Sequence, residues 1–162
     1  MIAAFFGGAK SDRTTNEYLD TIKIGKILFE KGYKVKCGGY YGLMEAISIG
    51  NQTTLGITCR TIGSDEGNKY LNTTIVADDI YDRLRLLIEE ADLYIIQKGG
   101  LGTLAELFLT LDMLRKKKNK VKVILIGNFW RDIFNSVGVL MSDKEKDLVI
   151  IIDDISELEN II

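Results

Sequence analysis

Short apolar runs of strand length alternate along the chain with longer stretches whose apolar residues recur at helical spacing. The runs are Ile2–Phe6, Tyr33–Cys37, Leu55–Thr61, Asn72–Ala77, Leu93–Gln97, Val121–Ile126 and Asp147–Ile152. Between them, Leu19, Ile22, Ile24, Ile27 and Leu28 mark one face of a helix from about Asn16 to Lys31, with Thr14 and Thr15 placed to cap it. A short helix is expected near Leu43–Ile49, and another over Asp79–Ala91 carrying Ile80, Leu84, Leu87 and Ile88 on one face. Further helices are expected from near Thr103 to about Lys117 and near Trp130–Leu140, with a final helical turn. Strands that feed crossover helices in this order build a parallel sheet. The predicted fold is α/β: a Rossmann-like, doubly wound parallel sheet flanked by helices, as one domain over residues 1–162.

The chain has 16 glycines and no proline, so glycine must make its tight turns. Gly7-Gly8, Gly38-Gly39-x-x-Gly42 and Gly99-Gly100-x-Gly102 each follow a predicted strand and precede a helix. In a doubly wound sheet all three turns lie on the ligand edge, where bare backbone N–H groups can approach a phosphate. The candidate phosphate-binding residues are Gly8, Gly39, Gly42, Lys98, Gly99, Gly100, Gly102 and Thr103. None of the turns is a GxGxxG fingerprint, and "GGAKS" (Gly7–Ser11) resembles only the tail of a P-loop. The polar, glycine-containing stretch Ile62–Tyr70 reads as the longest loop.

Composition narrows the chemistry. With 21 Lys+Arg against 23 Asp+Glu the formal net charge is -2, without the basic excess that a nucleic-acid backbone selects. The run "RKKKNK" (Arg115–Lys120) falls at a predicted helix end and reads as a solvated, dipole-complementing cap. There is no histidine, which removes Ser-His and Cys-His pairs and HExxH metal sites, and the two cysteines, Cys37 and Cys59, form no CxxC. The amino terminus lacks a basic n-region, and no segment reaches the roughly 18–20 apolar residues of a membrane span. The expectation is a soluble, cytoplasmic protein with no metal, no cofactor, and no membrane or nucleic-acid partner.

Acid–base work then falls to other side chains. Glu106 ends Thr103-Leu104-Ala105-Glu106, which fits the capping box [ST]-x-x-E, yet it also starts a helix on the ligand edge; both readings stand. Arg83 sits early in its helix, where a cation opposes the dipole; Asp79 offers an i,i+4 pair, and the ligand edge offers an alternative. Cys37 reads as a small buried hydrophobe rather than a nucleophile. Tyr40 and Tyr41 suit base stacking or rim packing equally.

Those residues form a recognisable set. "KGGLGTLAE" resembles the PGGxGTxxE signature of the LONELY GUY (LOG) family, the cytokinin riboside 5′-monophosphate phosphoribohydrolases long labelled lysine decarboxylases. "DDIYDRLRLLIEEADLYIIQKGG", "GGYYGLMEAIS" and "FFGGAKSDRTTNEYLDTIKIGKILFEKGYKV" are similar to the preceding parts of that family, so the resemblance runs from Ile2 to Ile126. It implies a Rossmann-like fold, a homodimer or larger homo-oligomer, and hydrolysis of the N-glycosidic bond of an AMP-type or N6-modified nucleoside 5′-monophosphate. Arg83 and Glu106 match the family's catalytic pair. Lys98 stands where the signature has proline, Leu84 where a lysine follows the arginine, and Cys37 where the family has the first of three glycines. A non-catalytic carrier of nucleotide or molybdenum cofactor on the same fold is the alternative.

Overall fold

The strands predicted from the apolar runs form one parallel sheet in the computed structural model, which describes residues 1–117 and 121–162. In chain order they are β1 (Ile2–Phe6), β2 (Lys34–Cys37), β3 (Leu55–Cys59), β4 (Thr73–Ala77), β5 (Leu93–Ile96), β6 (Lys122–Ile126) and β7 (Val149–Ile152). The α-helices are α1 (Asn16–Glu30), α2 (Leu43–Gly50), α3 (Ile80–Ile88), α4 (Leu101–Leu114), α5 (Phe129–Val137), α6 (Asp143–Lys146) and α7 (Leu158–Ile161). The sheet order is β4-β3-β2-β1-β5-β6-β7, with every pairing parallel. The chain winds outward from β1 to β4, crosses back to β5 beside β1, and winds outward again. The strand order therefore reverses between β1 and β5, the crevice where open α/β sheets bind ligands. This is a Rossmann-like α/β domain.

Both faces of the sheet are covered, which explains why its strands are apolar runs instead of alternating ones. Ala3 and Phe5 of β1 point into a core with Tyr18, Ile24 and Leu28 of α1 and Ala46 and Ile47 of α2. Ala4 and Phe6 point the other way, into a core with Leu87 of α3, Leu107 and Leu111 of α4 and Trp130 of α5. β1 is buried along most of its length because it lies at the centre of both cores.

The ends of the elements differ from expectation in ways that matter for the site. Helix α3 starts one residue later than predicted: Asp79 is its N-cap and accepts from the Tyr81 and Asp82 amides at 2.8 Å each. It also stops at Ile88, where the buried Lys36 ammonium donates to the carbonyls of Leu86 and Glu89 and Glu90 turns at φ 56°. "EEAD" contains no glycine to announce that stop. Helix α4 starts at Leu101, not near Thr103, because the chain turns in directly from Gly99-Gly100. The described part of the basic run lies where expected, exposed at the end of α4 with Arg115 as C-cap, and Arg115 and Lys116 also pair with Asp112; residues 118–120 lie outside the described residues. Among the described residues no helix is long and apolar enough to cross a membrane.

Candidate functional site

At the β1/β5 reversal the strand ends open into a cleft of about 820 Å³. Gly7 to Asp12 after β1, Gly38 and Tyr40 after β2, and Lys98 to Gly100 after β5 line it, together with Arg83, Gly102, Thr103 and Glu106. The turns are fastened to one another. The Gly8 amide donates to the Lys98 carbonyl at 3.0 Å, and the Leu43 amide donates to the Gly8 carbonyl at 2.9 Å.

Helix α4 turns its N-terminal end into this cleft. Its N-cap is Gly100, which has no side chain to satisfy the first amides, and the first helical bond runs from the Leu104 amide to the Gly100 carbonyl at 3.1 Å. The amides of Leu101, Gly102 and Thr103 precede that bond and lack intrahelical partners. Free amides at the positive end of a helix dipole form a site for a phosphate. Gly99 allows the tight start: a Cβ there would lie 2.1 Å from Thr103 Oγ1.

That start overturns the capping-box reading. With Gly100 as N-cap, Thr103 is the third helical residue and Glu106 lies in the second turn, beyond reach of the N-cap amide. Glu106 is instead buried at 9% exposure and lines the cleft, with its carboxylate 3.9 Å from Arg83 Nη1 and no hydrogen bond among the described residues. Burial pushes the Glu106 carboxyl up to about 7, and the nearby Arg83 guanidinium opposes part of that rise. The result is a carboxyl poised near neutrality and open to the cleft.

Arg83 does not use Asp79, whose side chain is occupied as a cap. Its Nε donates to the Ile57 carbonyl at 2.8 Å and its Nη2 to the Gly38 carbonyl at 3.0 Å, so the guanidinium is bolted to the middle of β3 and to the residue that follows β2. It also lies over the Tyr40 ring, 5.5 Å from the centroid, and Tyr40 Oη is held by the Cys59 amide at 2.9 Å. Gly38 is obligatory beside it, because a Cβ there would meet Arg83 Nη2 at 2.1 Å.

The structure thus brings Gly8, Lys98, Gly99, Gly100, Gly102 and Thr103 to one cleft with Arg83 and Glu106. It does not bring Gly39 and Gly42 there. Gly39, at φ 78°, packs against β3 and gives its carbonyl to the Asn68 amide at 2.7 Å; Gly42, at φ 64°, passes under Gly8 and Ala9. Both shape the turn. Cys37 is fully buried and its thiol is pushed up to about 11 by that burial, consistent with a packing role. Tyr40 lines the cleft and Tyr41 is exposed. Lys98 projects its ammonium toward the Phe129 ring, 5.8 Å from the centroid. Sequence reasoning missed Ser11, Asp12 and Met44 as lining residues; the polar "KSD" after Gly7-Gly8 was the available signal for the first two.

A Rossmann-like α/β protein whose cleft joins a free helix N-terminus to a buried Arg–Glu pair is the class that fold and site define. Residues 33–162 match the family described as "Possible lysine decarboxylase", and the chain belongs to that family, in agreement with the LOG resemblance. It is similar to an uncharacterized protein of Archaeoglobus fulgidus, 27% identical over 113 residues, spanning 68% of this chain and 74% of that one. Among solved structures, its fold is similar to that of the molybdenum cofactor binding protein from Rippkaea orientalis, with TM-score 0.74 and 22% identity over 99% of this chain and 96% of that one. The molybdenum cofactor carrier protein from Chlamydomonas reinhardtii is comparable, with TM-score 0.74 and 21% identity over 99% and 94% of the two chains.

Proposed function

We propose that the protein hydrolyses the N-glycosidic bond of a nucleoside 5′-monophosphate, AMP-type or N6-modified, to free base and ribose 5-phosphate. The observation that carries this reading is the buried, unbonded Glu106 carboxyl, which faces the same cleft as the free amides of α4. The 5′-phosphate binds at Gly100, Gly102 and Thr103, with Gly8, Gly99 and Lys98 around it. That anchors the ribose near Glu106. As the C1′–N bond breaks, positive charge grows on the ribose, and the ionised Glu106 stabilises it and orients the water that adds to C1′. The adding water releases a proton to solvent as its oxygen bonds to C1′, and the departing base nitrogen takes one up, so the exchange balances. Arg83, fixed by two backbone carbonyls, places a positive charge 3.9 Å from Glu106 and so keeps it ionisable despite its burial.

A homodimer or larger assembly belongs to the same reading. Leu101, Phe108 and Leu109 leave an exposed apolar stripe on α4, as a subunit contact requires.

A second reading is a carrier that binds nucleotide or molybdenum cofactor without turnover. The two structural neighbours described as molybdenum cofactor proteins favour it, as does Lys98, which adds a cation where the family signature has proline. One experiment separates the two. Purified protein is incubated with a panel of nucleoside monophosphates and scored for released base, with Glu106→Gln alongside. Release that falls by about 10²-fold or more in the variant supports catalysis; saturable binding with no release in either protein supports the carrier.

A further inference from the structure

Beyond Lys98 lies a second hollow of about 380 Å³, between the start of α1 and the carboxyl ends of β6 and β7. Glu17 and Lys98 line both this hollow and the main cleft, so the two spaces adjoin. Its most buried polar side chain is Gln97, 4% exposed, which lines the hollow but not the main cleft.

Gln97 is only half satisfied. The Thr21 hydroxyl contacts both the Glu17 carbonyl, at 2.6 Å, and the Gln97 side-chain amide, but it has a single hydrogen to give. The Gln97 oxygen is the end that meets the Thr21 hydroxyl, so its –NH₂ is the end turned to the hollow. Either orientation of the amide leaves one end without a partner. Among the described residues the only sealed-off side-chain polar atom lacking a partner is Trp130 Nε1, so the free end of Gln97 is open to the hollow.

The surrounding wall is rich in acceptors. Asp20 is paired with Lys23 at 2.8 Å, and Asp154 caps the Ser156 amide at 2.8 Å, whereas the Glu17 carboxylate has no partner among the described residues. Such a wall repels a bare anion and suits a group bearing N–H donors. The half-buried Phe129 ring, over which the Lys98 ammonium now lies, adds a flat apolar face for a heteroaromatic ring when that ammonium turns to a phosphate. The volume falls within the roughly 300–1,000 Å³ of small-molecule sites.

We infer that this hollow seats a second, amino-substituted heteroaromatic base, joined by a diphosphate to the nucleotide of the main cleft, so that the full ligand is a dinucleotide. This rests on the proposed placement of a nucleotide phosphate at the start of α4. The first phosphate of the bridge meets the α4 amides and the second falls at the junction, where Lys98 neutralises it. The lysine in place of proline, already beside the first phosphate, thereby serves the second as well.

The test compares diadenosine diphosphate with AMP by titration calorimetry, using Glu106→Gln to suppress turnover. Diadenosine diphosphate binds about tenfold tighter or more, as expected for an added stacked base and hydrogen bond. Adding Gln97→Met or Glu17→Ala shrinks the ratio of the two affinities toward one. The first change is nearly isosteric; the second is at an exposed, unpaired side chain and keeps the test decisive if the first impairs folding. Equal affinities for the two ligands overturn the second subsite while leaving the mononucleotide reading in place. A ratio unchanged in both variants overturns its assignment to this hollow. Failure of AMP itself to bind overturns the underlying reading and this one with it.

Discussion

Glu106 shows how much one residue's role depends on where its helix begins. Its proton affinity carries a signed prediction. A carboxyl held at about 7 in the folded chain against an ordinary value of 4.5 binds its proton more tightly when folded. The stability from that proton is fully present below the ordinary value and is lost as pH rises through about 7. The melting temperature of the wild type should therefore rise relative to that of Glu106→Gln as pH falls from about 8 to about 5. Base release should show the opposite trend, climbing through neutrality as the carboxyl ionises; a flat profile would count against Glu106 as the charged group. Both members of this pair were legible in the sequence through the motif. Their geometry was not: Arg83 is fixed by Ile57 and Gly38 carbonyls far away along the chain, which local spacing cannot reveal.

The elements that matter most here are the three turns and the start of α4. Glycine spacing located all three turns but did not sort them, because a glycine needed for a ligand and one needed for backbone packing look alike in one sequence. Gly42 is of the second kind. A Cβ there would lie 2.5 Å from the Gly8 carbonyl, at a φ of 64° that side chains avoid. Gly42→Ala should cost about 1–3 kcal/mol in denaturant unfolding and weaken nucleotide affinity by pushing the β1 turn off Lys98. The start of α4 was missed by two residues because Thr103-x-x-Glu106 satisfied the capping pattern. Two real capping boxes, Ser142 with Glu145 and Asp154 with Glu157, went unread because their helices are single turns with no apolar periodicity.

At the scale of the whole molecule, the alternation of apolar runs with helical stretches was enough for a parallel, doubly wound sheet. The strand order was less legible: pairing of β1 with β5 rests on contacts between distant residues such as Phe5 and Ile95, to which periodicity is blind. Assembly is decided at this scale too. Leu101 at 86%, Phe108 at 39% and Leu109 at 44% exposure line the outer side of α4. Light scattering should give a dimer or larger species for the wild type and a monomer with unchanged circular dichroism for Leu109→Glu; a monomeric wild type would remove the assembly reading. The anchoring of Arg83 has a mechanical corollary. The guanidinium is held to β2 and β3, while Glu106 is carried by α4 in the half of the fold that follows β5, so the gap between them is set by how the two halves pack. Widening that gap would raise the proton affinity of Glu106 and narrowing it would lower it, which ties the charge state of one carboxyl to the fit between the two halves.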